Sequence, residues 1–249
     1  MTGHQLAGPG HVAVWVAVGT AAPGSGPLGL DERARRYRRA RAAARRVGRE
    51  LIAAHTGCPP ERQAWERDDR GRPVLARPAG FQVSLSHGES VVAAALARDA
   101  PVGVDVERLR PLAARDALAR AALSDSERQA VDDLPEARRD AQVIRFWTRK
   151  EAVAKALGTG LATDLRGIVT TADGAVVTLP PQCGDPAGWT LAGLPVHGGV
   201  IATVAVRAPG VRVVARTLAL PADEDPDGPA VQRLPGATPP GPAGSAGAR

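Results

Sequence analysis

The chain is predicted to be an α+β protein made of two successive units, each of helices followed by strands. Three observations predict this. A long arginine-rich helix stands near the start, a run with period-two alternation covers Phe81–His87, and a second long helix over 141–157 is followed by strand-like segments to about Leu220.

His11–Val18 is a short apolar strand, followed by a Pro/Gly loop from Ala21 to Gly29. Asp31 is placed to cap a helix running to about Thr56, with Gly57 as its stop. Tyr37, Ala44 and Leu51 recur at seven residues, as do Ala40, Val47 and Ala54, giving one apolar stripe. Nine arginines between Arg33 and Arg49 cover the rest, and Arg41, Arg45 and Arg49 stack one turn apart as a cationic ridge. A solvated helix face is the plainer reading of that ridge.

Phe81–His87 reads as a half-buried strand, Gly88-Glu89-Ser90 as a turn and Val91–Ala97 as the returning strand. In a third strand, Pro101–Glu107, the residues Val102, Val104 and Val106 share one face, and Gly103, Asp105 and Glu107 share the other. Leu112–Leu123 looks helical, and Ser124-Asp125-Ser126-Glu127 has the pattern of a capping box. The long helix Ala141–Leu157 stops at Gly158. Strands are expected at Arg166–Thr170, Val176–Leu179, Trp189–Leu194, Val200–Arg207 and Val211–Leu220. The expected division is therefore residues 1–105, residues 106–220, and a Pro/Gly/Ala-rich tail, 221–249, too poor in apolar side chains to fold.

A length of 249 residues with 44 % hydrophobic side chains suffices for a substantial core. No apolar run approaches the ~20 residues needed to span a bilayer. Met1–Gly10 has no basic region followed by a hydrophobic core, so a secretory signal is not expected. Cys58 and Cys183 are too few for a disulfide framework or a metal knot. The expectation is a cytoplasmic protein with no membrane association. A net charge of +6 implies an anionic partner: nucleic acid, a phosphorylated small molecule or an acidic protein. An aromatic content of 3 % and the lack of a nucleic-acid motif argue against the first.

Only two of the 32 lysine and arginine residues are lysine, Lys150 and Lys155, and both flank Glu151. An ammonium is a compact charge with three donors, whereas guanidinium is a planar fork, so this segment calls for ammonium chemistry. Asp105 and Glu107 project from one strand face, where they repel and raise one another's pKa unless a hard cation intervenes. Magnesium suits such a pair, since it takes one or two carboxylates plus phosphate oxygens and water. Two solvated carboxylates beside Arg108 and Arg110 are the plainer alternative. Trp147, Glu151 and Lys155 share one helix face, so Glu151 adds a third carboxylate and Lys155 a cation for phosphate. Ser86-His87 ends a strand where both side chains can face a cleft, and no nucleophile elbow surrounds the serine.

Gly103-Val104-Asp105-Val106-Glu107 and, about forty residues on, Trp147-Thr148-Arg149-Lys150-Glu151-Ala152-Val153-Ala154-Lys155 closely resemble the two signature motifs of the 4′-phosphopantetheinyl transferases. Ser84-Leu85-Ser86-His87 resembles the motif preceding them, and Gly71-Arg72-Pro73 the family's Gly-Lys-Pro element. The resemblance covers roughly Asp31 to Arg207 and suits the Sfp-type subfamily. It implies two similar α/β subdomains in a pseudo-twofold arrangement, a monomer, and transfer of the phosphopantetheine arm of coenzyme A to a serine of an apo acyl or peptidyl carrier protein. It implies Asp105, Glu107 and Glu151 as Mg2+ ligands and Lys155 as the contact to the coenzyme A phosphate. Glu151, directly or through a metal-bound water, is implied as the base. Ser86 and His87 are implied as coenzyme A phosphate contacts, with His87 near the 3′-phosphate. Arg72 stands at the family's lysine position beside the nucleotide. Arg45 is the best match for the basic helix residue on the 3′-phosphate, with Arg41 or Arg46 as alternative registers. Two departures are Gly88, where many members have serine, and Arg72 for lysine.

Overall fold

The computed structural model describes residues 10–19, 29–88, 90–159 and 163–220. The loop expected at Ala21–Gly29, save Gly29, and the tail from 221 lie outside the described residues.

The first sheet holds β1 (His11–Val18), β4 (Phe81–His87), β5 (Val91–Arg98) and β11 (Arg212–Ala219) in the order β11-β1-β5-β4. The second holds β6 (Val102–Arg108), β9 (Thr190–Gly193) and β10 (Val200–Val206) in the order β6-β10-β9. Side-chain parity builds the layers. Val12, Val14 and Val16 of β1 and Val91, Ala93 and Ala95 of β5 face Val102, Val104, Val106, Ala202 and Val204 of the second sheet, forming one core between the sheets. The opposite faces carry a long helix each. Helix α1 (Leu30–Thr56) lays Ala44, Val47, Leu51 and Ile52 on the first sheet. Helix α4 (Glu136–Leu157) lays Ala152 and Ala156 beside Ala205 of the second. The shorter helices α2 (Arg115–Ala122) and α3 (Asp125–Asp132) pack on the outer side of α4 around Leu123, Val143 and Phe146.

The expected helix and strand content is thus present, with local differences. Asp31 does not cap α1. Gly29 holds the cap position without a side-chain bond, and Asp31 and Glu32 lie in the first turn, where their charge complements the helix dipole. Tyr37 and Ala54 leave the apolar stripe for the exposed side, because a 27-residue helix drifts off a strict seven-residue repeat. Arg166–Thr170 is not one strand. Asp164 caps a 3-10 turn at Leu165–Gly167, and only Val169–Thr170 (β7) pairs, with Val176–Thr178 (β8). A hairpin of β2 (Ala64–Arg67) and β3 (Pro73–Arg77) was not expected, since its charged, largely exposed strands lack an apolar alternation.

Two features concern the expected division of the chain. Its 105/106 boundary falls inside β6, which is one strand. The last strand, β11, pairs in parallel with β1, from His11 beside Arg212 to Val18 beside Ala219, and so completes the first sheet.

Candidate active site at the junction of the two sheets

Strand β4 is the edge of one sheet and β6 the edge of the other, and two serines join them. Ser84 Oγ accepts from Val104 N at 3.1 Å, and Ser86 Oγ accepts from Val106 N at 3.3 Å. Edge amides that no neighbouring strand reaches are thereby satisfied, which explains hydroxyls at two buried positions.

On the other face of β6, Gly103 lets α4 approach closely. A Cβ at Gly103 would lie 1.9 Å from Ala152 O and 2.5 Å from Ala156 N. That contact brings Glu151 and Lys155, both half-buried on one face of α4, beside Asp105. Lys155 Nζ donates to Asp105 Oδ1 at 2.6 Å, to Ser86 Oγ at 2.9 Å and to Val104 O at 3.2 Å. Ser86 Oγ in turn donates to Asp105 Oδ1 at 2.8 Å. The Ser86 hydroxyl therefore accepts two bonds and gives one, its full capacity.

Carboxylate oxygens remain unused. Asp105 Oδ2 and Glu151 Oε1 are buried with no hydrogen-bond partner. Burial first, then the Asp105 charge, pushes the Glu151 carboxyl above its ordinary value, against the pull of Lys155. Burial, Asp105 and Glu151 likewise raise Glu107, with Arg110 and Lys155 opposing. Three acidic side chains thus share one field at the meeting of β6 and α4. They are not closed into a ligand set. Among the described residues, no three His, Cys, Asp or Glu side chains form a group that could hold a metal ion, and Asp105 Oδ1 is engaged by Lys155 instead. The donor chemistry nevertheless fits a hard cation, because two desolvated acceptors lack partners and mutual repulsion would be relieved by positive charge.

His87 ends β4 with its ring edge-on to Tyr37, centroids 4.9 Å apart. Burial, Lys155 and Arg41 hold its pKa below the ordinary imidazole range, while its own backbone and Asp105 oppose. Arg41 is therefore the ridge arginine whose charge reaches His87. Arg45 lies further along α1, where with Arg49, Trp65, Glu66, Arg67 and Pro73 it lines a hollow of about 190 Å³. Arg72 is held away from a free position. Its Nε donates to Asp68 Oδ2 at 3.0 Å, and its guanidinium lies against Gly158 at the end of α4. The structure thus brings together Ser86, Asp105, Glu107, Glu151 and Lys155, with His87 adjacent, and sets Arg45 and Arg72 on the neighbouring hairpin side.

Sequence reasoning passed over Tyr37, assigned to an apolar stripe, and Glu127, read only as a capping residue. Glu127 does close the capping box with Ser124, but it is also buried against Lys150. A glutamate three residues after a cap carries no sign of burial by itself.

Residues 101–205, which span β6, α4 and β10, match the 4′-phosphopantetheinyl transferase superfamily. The chain is 28 % identical over 175 residues to the 4′-phosphopantetheinyl transferase HetI of Nostoc sp., covering 68 % of this chain and 71 % of that protein. It is 32 % identical over 117 residues to the 4′-phosphopantetheinyl transferase psf-1 of Bacillus pumilus, covering 47 % of this chain and 49 % of that one. With the 4′-phosphopantetheinyl transferase AcpT of Escherichia coli O157:H7 it shares 33 % over 90 residues, 36 % of this chain and 46 % of that protein. The chain therefore spans about half the length of the latter two. Similarity to 4′-phosphopantetheinyl transferases thus recurs in each of these comparisons. Among the described residues no helix is long and apolar enough to cross a membrane.

Proposed function

We propose that this protein transfers the 4′-phosphopantetheine arm of coenzyme A to a serine of an apo acyl or peptidyl carrier protein in a Mg2+-dependent reaction, releasing 3′,5′-adenosine diphosphate. The observation that carries the reading is the convergence of Asp105, Glu151 and Lys155 at one point, where the two family motifs meet.

In this reading the carrier serine Oγ attacks the β-phosphorus of coenzyme A. The bond from that phosphorus to the bridging oxygen breaks, and the electron pair leaves on the adenosine diphosphate. Glu151 takes the serine proton. In the metal-free protein burial pushes its carboxyl above the ordinary range. Lys155 neutralises charge on the departing phosphate, and its side chain is about one quarter exposed, at the mouth of the site. Asp105, Glu107 and Glu151 would hold the magnesium ion, with the unpartnered Asp105 Oδ2 and Glu151 Oε1 as its first donors. When bound, the ion supplies Lewis-acid neutralisation of the pyrophosphate. His87 and Arg41 supply anion contacts beside the site, while the Arg45 hollow and Arg72 lie toward the nucleotide end. Since Ser86 is saturated internally, it serves by holding Asp105 and Lys155.

The test is incubation of the full chain with magnesium, coenzyme A and a panel of apo-carriers, read by intact mass. A gain of one phosphopantetheine on a carrier is expected. No gain on fatty-acid, polyketide and peptide-synthetase carriers alike would reject the reading.

A further inference from the structure

The chain meets nearly all its need for positive charge with arginine, and both lysines occur where an ammonium meets three acceptors. Lys155 is one. Lys150, which the proposed chemistry does not use, is the other. It is wholly buried, and its Nζ donates to Glu127 Oε2 at 2.7 Å, to Leu165 O at 2.8 Å and to Ile168 O. Glu127, itself 1 % exposed, is satisfied four ways: Oε2 also accepts from Ser124 N at 2.9 Å, and Oε1 accepts from Thr170 N at 2.9 Å and Thr170 Oγ1 at 3.3 Å. A guanidinium spreads its donors around a planar fork and does not present three of them from a single nitrogen, as this ammonium does.

Burying an ion pair is seldom worth more to stability than burying an apolar pair of equal size, and its best-attested use is to fix registry. The surroundings show which registry is at stake. Lys150 immediately precedes Glu151 on α4, about 100° around the helix. Next to Lys150, Arg149 donates to Thr171 O at 2.7 Å and Ala172 O at 3.1 Å, so this flank of α4 is bonded to the segment 165–172. Another flank is held by Thr148 Oγ1 against Thr203 Oγ1 at 3.2 Å and by Ala152 against Gly103. The stripe of Glu151 and Lys155 has its direction set by these two attachments.

We propose that the Lys150–Glu127 pair is a positioning device: it sets the rotation of α4 about its own axis and so aims Glu151 and Lys155 at Asp105. Alanine and valine contacts tolerate a slide or a small roll, whereas three directed bonds to two carbonyls and a carboxylate do not. The proposal rests on the transferase reading only for its effect on turnover.

Because the chain has two lysines, lysine labelled with 15N and 13C at the ε positions gives two side-chain signals, and Lys150→Met assigns them. The test variant is Glu127→Gln in the full chain, with Thr170→Val, which removes the hydroxyl donor to Glu127 but keeps the backbone N–H and both charges, as the milder change should Glu127→Gln fail to fold. The Lys155 signal should shift along with that of Lys150, and turnover should fall on the order of 100-fold, as for misplacement of reacting groups by about 1 Å. A Lys150 signal that moves while Lys155 stays fixed would overturn the proposal, whatever happens to activity. Wild-type protein that transfers nothing would reject the functional reading and leave the two-signal result to stand or fall alone.

Discussion

At the scale of single residues, the site is a compromise between carboxylates that repel and one lysine that restrains them. Asp105→Ala removes a carboxylate whose Oδ2 has no partner and whose Oδ1 receives Lys155. Magnesium-dependent transfer should be abolished with circular dichroism unchanged; a normal rate in the mass-shift assay would contradict the proposed ligand set. Lys155→Arg keeps the charge but not the three-acceptor fit, so turnover should fall at least tenfold, the scale on which a misplaced supporting group costs activity. Full activity would mean that lysine at position 155 is an accident of composition. The raised carboxyls predict a pH effect with a definite sign. Folding favours the protonated forms of Glu107 and Glu151, so their contribution to stability is present below the ordinary carboxylate value and is lost as pH rises through the raised folded values. In metal-free buffer, melting curves of wild type and Glu107→Gln/Glu151→Gln should converge in acid. Toward neutrality the variant should melt higher, by about 2–4 °C for each kcal/mol relieved. Parallel curves at all pH values would count against a shared field.

Among the elements, the contact of β6 with α4 decides most. Gly103 is not needed for its backbone angles but for the space where a Cβ would strike the helix backbone. Gly103→Ala should push α4 away from β6, cost roughly 1–3 kcal/mol by overpacking, and depress transfer even where the protein remains folded. Thermal melting and initial rates on one preparation would check both parts, and an unchanged melt would mean that the helix is not seated so tightly. Much of this element was legible beforehand. The alternation through Val102, Val104 and Val106 fixed the face of Asp105 and Glu107, and Gly158 marked the end of α4, where it adopts the left-handed conformation. The pairing of β4 with β6 through serine hydroxyls was not legible, because side-chain bonds between sheet edges leave no periodic trace. Nor was the burial of Glu127, whose partner lies 23 positions away on another helix. The hairpin of β2 and β3 escaped because its identity comes from pairing rather than from apolar pattern. That Arg41 is the ridge arginine whose charge reaches His87 was likewise not legible, since Arg41 and Arg45 lie on one ridge and the sequence does not show which stands nearer.

For the whole molecule, the excess of positive charge is concentrated on α1, along one side of the site. Long-range attraction of an acidic carrier should therefore act on encounter rather than on chemistry. Raising NaCl is expected to increase the carrier KM severalfold and to leave turnover at saturating carrier nearly constant, as read from initial rates at fixed coenzyme A. A KM indifferent to salt would remove the basic helix from carrier recognition.

The parallel pairing of β11 with β1 has a mechanical corollary. Val18 and Ala219 lie together at one end of the ladder, and His11 and Arg212 at the other. Stretching the molecule by its two ends would pull the first strand one way along its length and the last strand the opposite way. The rungs between them would be loaded all at once instead of being unzipped singly, so under tension this protein should yield late and abruptly.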